Sequence, residues 1–192
     1  MRFFFVLDYR GKYRYISSEA FSEIQFKFSH WKKVWESAKK KLMLLPRRIL
    51  RQEQAFRNAL NLKESTISIF HSGRLGEKKI KTKFRFFLRK QKTKHIFFLV
   101  GEAVLLPVSG LMAILPGPNV FFGVLALLTL THWQAFRGIN RLLKKKYEFI
   151  PSPLFSKWEE TLEFKQESDF LHTLEKIEKE YNMPNIHKVL WK

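Results

Sequence analysis

Two side chains stand out because their surroundings should make their charge expensive. From Ile96 to Leu130 the one ionisable residue is Glu102, and His132 follows just beyond. A lone carboxylate in an apolar run is costly to bury, which makes it a functional candidate by default. Pro116-Gly117-Pro118-Asn119 interrupts the run, because two prolines and a glycine leave the helical ladder without donors. With Gly117 as the pivot of a helical hairpin, Glu102 and His132 are equidistant from it in sequence and reach a similar depth. Burial favours the neutral form of each, whereas their mutual attraction favours the ion pair. A pair balanced in this way suits proton exchange, so Glu102 and His132 are the proton-relay candidates. The competing reading has Glu102 snorkelling to an interface with His132 as an interfacial polar residue, and the sequence leaves both open.

The break itself offers a second candidate. Asn119 and the carbonyls freed by Pro116 and Pro118 are placed to meet a cation, as unwound backbone does in transporters. The same residues also make an ordinary turn. Pro107 removes a further helical donor within the first apolar segment. Other chemistry is missing from the sequence: no P-loop, GxGxxG, HExxH or nucleophile elbow is present. The six histidines show no metal-ligand spacing, and the absence of cysteine removes disulfides, thiol catalysis and zinc ribbons. Neither an enzyme, a metal nor a cofactor is expected.

The elements that would carry these residues follow from the apolar pattern. About 20 apolar residues cross a hydrocarbon core about 30 Å thick. Ile96–Leu115 meets that length despite Glu102 and Pro107, and Val120–Trp133 is somewhat short. The expectation is a two-span helical hairpin at residues 95–137. Arg74, Lys78, Lys79, Lys81, Lys83, Arg85, Arg89, Lys90, Lys92 and Lys94 precede it, and Arg137, Arg141, Lys144, Lys145 and Lys146 follow it. The turn carries no charge, so both ends should face the cytoplasm or matrix. Gly101, Gly110 and Gly123 provide close-packing positions for helix association. Two spans are few for an ion path, which calls for a homo-oligomer or a membrane partner subunit.

Residues 1–94 read as a basic α+β region. Arg2–Asp8 suits a buried strand, Tyr9–Lys12 a turn, Tyr13–Ile16 a second strand and Ser65–His71 a third. A helix with an apolar seam from Phe21 to Leu42 and a second helix over Arg47–Leu62 lie between them. Lys78–Lys94 places Ile80, Phe84, Phe87 and Leu88 on one helical face among cations, the pattern of a basic helix on an anionic lipid surface. Lys78, Lys79, Lys81, Lys83, Arg85, Arg89, Lys90, Lys92 and Lys94 are its lipid-surface candidates; a nucleic-acid arm is the disfavoured alternative. Residues 138–192 form a C-terminal helical region, with a linker at Pro151 and Pro153. Its acidic helix carries Phe170, Leu174, Ile177 and Tyr181 on one face and ends at Pro184. Lysine and arginine total 36 against 17 acids, a formal charge of +19, which implies an anionic partner. A 45% hydrophobic content excludes a disordered basic tail. The fold class expected is a mainly α membrane protein with a basic α+β part of few short strands.

Lys94-His95, Leu106-Pro107, Leu115-Pro116, Pro118-Asn119 and Thr131-His132-Trp133-Gln134-Ala135-Phe136-Arg137-Gly138 together resemble the mitochondrial K+/H+ exchange-related family, which also has bacterial relatives. The family's form of the last stretch is similar to Ser-His-Trp-Arg-Ala-x-x-Gly; here Thr131 replaces serine and Gln134 replaces arginine. Weaker similarity reaches the N-terminal strand and Asn182-Met183-Pro184. The resemblance implies a part in potassium–proton exchange, with K+ and H+ as the ions, either within an exchanger or in support of one. The alternative function is a membrane-anchored scaffold that binds anionic lipid or a partner complex without transport. Arg2 is followed by a short apolar run and then Asp8, so no cleavable leader is expected. That favours a bacterial inner membrane over a mitochondrial one.

Overall fold

A computed structural model describes residues 1–18, 54–63, 65–111, 120–164 and 167–190. The chain divides into two units. The first comprises Met1–Ser22, Leu62–Phe87 and Lys144–Lys192, and the second Glu23–Asn61 and Leu88–Leu143.

The first unit is built on a mixed sheet of four strands: β1 (Arg2–Leu7), β2 (Tyr13–Ser17), β3 (Thr66–His71) and β4 (Lys146–Pro151). Their order is β2-β1-β3-β4. β1 pairs antiparallel with β2 and parallel with β3, which pairs parallel with β4. The β1–β2 turn is fixed by Asp8, whose carboxylate accepts from the backbone N–H groups of Arg10 and Lys12, and by Gly11 at φ 71°.

Both faces of β1 are covered, which explains its unbroken apolar run. On one face Phe3 meets Phe84 of α1 (Glu77–Leu111), with ring centroids 5.0 Å apart. Tyr15 and Tyr147 close on the same Phe84 ring. On the other face Phe4, Val6 and Ile16 join Phe155 and Trp158 of α3 (Pro153–Phe164). Phe170, Leu174, Ile177 and Tyr181 of α4 (Glu167–Tyr181) complete that core. Ser152 caps α3 by accepting from the Phe155 N–H, with Pro153 in the first helical position. α4 ends with Asn182 at φ 51° and the Met183 N–H donating to the Glu178 carbonyl, before α5 (His187–Leu190).

The second unit holds residues 88–111 of α1, the helical turn at residues 54–58 continuing into Ala59–Asn61, and α2 (Val120–Leu143). The α1 and α2 segments run antiparallel: Lys92 lies over Phe136, and Glu102 meets His132.

This architecture corrects two expectations. The mainly α, two-span membrane fold is replaced by a four-stranded mixed sheet with five helices among the described residues. Among those residues no helix is long and apolar enough to cross a membrane, so the integral inner-membrane placement loses its two spans. The physical reason lies in where the apolar residues sit. α1 enters its apolar stretch only after a long cationic stretch, and that stretch contains Glu102 and Pro107. α2 gives way to His132, Gln134, Arg137 and Arg141 in its second half. β4 and α3 occupy the segment read as a linker. The Phe21–Leu42 seam and residues 47–53 of the helix expected at Arg47–Leu62 lie outside the described residues, as do Pro116, Gly117, Pro118 and Asn119; residues 54–61 are helical as expected.

Candidate functional site

α2 turns one face inward in the second unit. His132, Ala135, Ile139 and Leu142 are buried at helical spacing, and Gly138 lies on the same side. Gly138 has a specific steric reason to be glycine: a Cβ there would overlap the Phe56 carbonyl oxygen. The helix therefore lies against the backbone of the 54–61 turn. Two polar clamps hold the approach: the Arg57 Nε donates to Gln134 Oε1 at 2.9 Å, and the Arg141 guanidinium donates to the Leu60 carbonyl.

This seating places His132 against α1. Its Nδ1 lies 2.7 Å from Glu102 Oε1, and both residues are buried. One hydrogen occupies that line: either the imidazole N–H donates to a carboxylate, or a carboxylic acid donates to the ring nitrogen. The Phe98 ring stacks on His132 at 4.9 Å, and the His95 ring lies 5.4 Å away at a tilt. Phe56 meets His95 edge-on. His95 is 1% exposed, and burial, with the charges of His132 and Lys94 adding to it, lowers its pKa to about 4. Glu102 Oε2 and His95 Nδ1 are buried with no hydrogen-bond partner among the described residues.

The remaining sequence candidates fall around this centre. Lys94 is exposed over the Phe98 ring, and Trp133 is exposed and stacks on Phe136. Thr131 donates back to the Leu127 carbonyl, and Ala135 is fully buried. Pro107 sits on the exposed side of α1. Among the proposed lipid-facing cations, Lys78, Lys79, Lys81, Lys83, Arg85, Arg89, Lys90 and Lys94 are exposed and Lys92 is half-buried. The apolar stripe expected to meet lipid beside them is already used: Ile80, Phe84 and Leu88 are fully buried within the protein.

His95 was absent from the proton candidates, although the signal was present. His95, Glu102 and Ser109 recur every seven residues on α1, and all three are buried. A polar seam of that period belongs to a helix facing a partner helix. Glu159 on α3 carried no such signal, since it sits in a charged stretch. It is 1% exposed, with Oε2 3.5 Å from the Tyr13 hydroxyl and 3.6 Å from Arg74 Nε. Burial raises its pKa against the opposing pull of Ser72, Arg74 and Tyr13. Among the described residues no group of three or more metal-ligating side chains comes together.

The model of a family described as mitochondrial K+-H+ exchange-related matches residues 9–145. Comparison with curated proteins and with solved structures finds no match.

Proposed function

The chain belongs to the mitochondrial K+-H+ exchange-related family, and from that premise we propose that it handles the proton of a potassium/proton exchange through Glu102 and His132. It acts within an exchanger or in support of one. The observation that carries this reading is the buried 2.7 Å contact between His132 Nδ1 and Glu102 Oε1. A hydrogen held on that line can sit on either atom, because a carboxyl and an imidazole nitrogen are each a donor in one protonation state and an acceptor in the other. The rings of Phe98 and His95 shield the pair, and His95 adds no charge of its own, since its pKa lies near 4. Monovalent cation exchange needs such a site: one positive charge leaves as a proton when the other enters. No covalent chemistry is assigned to the chain. With no helix among the described residues long and apolar enough to cross a membrane, the reading assigns the ion path to a partner subunit.

The test is potassium-driven proton flux in membrane vesicles from cells that express the chain. Glu102→Gln keeps shape and hydrogen bonding but removes the carboxyl that can hold the proton, so flux due to the chain should disappear while circular dichroism stays unchanged. Flux equal to that of the unaltered chain in this variant refutes the role of Glu102.

A further inference from the structure

The α1 and α2 segments of the second unit carry an apolar surface that nothing among the described residues covers. Phe97, Val100, Val104 and Val108 are exposed at 75%, 60%, 66% and 55%. Their spacing of three, four and four residues makes one stripe along α1. Lys90 and Thr93 continue that stripe toward the N-terminus of the segment, and both are exposed. Arg137 of α2, also exposed, lies at the same level along the helices as this cationic end, because its neighbour Phe136 meets Lys92. The exposed face is thus cationic at one end and aliphatic at the other.

We propose that this face docks on an anionic lipid surface, lying on it without crossing it. Contiguous apolar patches of this kind are rarely left to water and mark a site of interaction. Charge selects the occupant. A second copy of the chain brings another +19 to the contact, so self-association on this face opposes its own electrostatics. A nucleic-acid backbone would engage Lys90 and Arg137 but leave three valines and a phenylalanine in water. An anionic lipid surface satisfies both ends at once, with phosphates for the cations and acyl chain for the stripe. The stripe that does this is not the one formed by Ile80, Phe84 and Leu88, which is buried inside the protein.

The test is co-sedimentation of the full chain with vesicles of phosphatidylcholine alone or mixed with phosphatidylglycerol. Binding should require phosphatidylglycerol and weaken as salt is raised. Phe97→Ser with Val104→Ser should lower partitioning about tenfold or more. Lys90→Ser and Arg137→Ser should lower it about fivefold each. All four side chains are exposed, so an unchanged melting temperature verifies that the fold persists. The assignment is overturned by vesicle binding that ignores the Phe97/Val104 variant, by equal binding to neutral vesicles, or by no binding. It is also overturned if sedimentation equilibrium shows a dimer that the Phe97/Val104 variant abolishes. A chain that docks but shows no potassium-driven flux leaves this assignment standing and removes only the proton reading.

Discussion

Each unit buries a glutamate, and the two are compensated in different ways. Glu159 of the sheet unit faces Arg74 at 3.6 Å and the Tyr13 hydroxyl at 3.5 Å. Glu102 of the helical unit faces His132 at 2.7 Å. A guanidinium keeps its charge at every pH a protein survives, so Arg74 answers Glu159 permanently. An imidazole nitrogen can donate or accept, so the contact of Glu102 depends on which of the two partners holds the proton. The same buried side chain faces a fixed cation in one unit and a ring that can donate or accept in the other. The partner, rather than burial, makes that distinction.

The comparison can be broken most forcefully at Gly138. Alanine there drives a Cβ into the Phe56 carbonyl oxygen, which is backbone and has no rotamer through which to yield. The expected loss is more than about 3 kcal/mol in the stability of the helical unit. Hydrogen exchange read by peptide should show protection falling over residues 54–61 and 120–143, with β1 and β3 retaining theirs. Equal loss in both sets of peptides would mean that the units open together and would end their treatment as separate environments.

How much of this was legible depends on what each residue pattern encodes. Strands β1, β2 and β3 were readable because Phe3–Leu7 is continuously apolar and Gly11 fits the turn after it. The acidic helix α4 was readable from Phe170, Leu174, Ile177 and Tyr181, all of which are buried. β4 was not: it lies at the sheet edge, so Lys146 and Glu148 alternate outward and Pro151 can end it without breaking a ladder. Two prolines around Ser152 looked like a linker but mark a strand end and a helix start. The apolar run from Ile96 to Leu130 was misread for a related reason. Total hydrophobicity suggested two spans, whereas the seven-residue recurrence of His95, Glu102 and Ser109 marks one polar face of a helix turned toward another. The hairpin arithmetic named the juxtaposed pair Glu102 and His132; it said nothing of the ring of His95 beside them.

His95 sharpens the comparison through pH. Each unit buries an imidazole whose pKa burial lowers, His71 in the sheet unit and His95 in the helical one. An unfolded chain protonates such a histidine near pH 6.5, while the folded chain resists until about 4 for His95. The stability tied to His95 is therefore complete above about pH 6.5 and is lost as pH falls toward about 4, at a cost of about 3 kcal/mol. Urea titrations of the wild-type chain across that range should show the decline, and His95→Gln should flatten it. A His95→Gln chain with an undiminished slope would assign the decline to other groups and leave His95 as packing.

Arg74 gives the smallest effect and the most direct contrast between the two carboxylates. Arg74→Met keeps the aliphatic stem and removes the cation that answers Glu159 and pairs with Glu163 at 2.8 Å. Because Arg74 is 37% exposed, solvent already screens it, and the expected loss at neutral pH is about 1 kcal/mol. Without the cation, the Glu159 carboxyl rises further above its ordinary range. A raised carboxyl binds its proton more tightly in the folded chain, so folding gains as pH falls through the raised value toward the unfolded one near 4.5. The deficit of Arg74→Met should therefore shrink on acidification, since a protonated Glu159 needs no cation. Denaturation midpoints of variant and wild type should converge toward about pH 5. A gap that stays constant with pH would show that Arg74 contributes by packing alone, and Glu159 would then lack the permanent charge partner that sets it apart from Glu102.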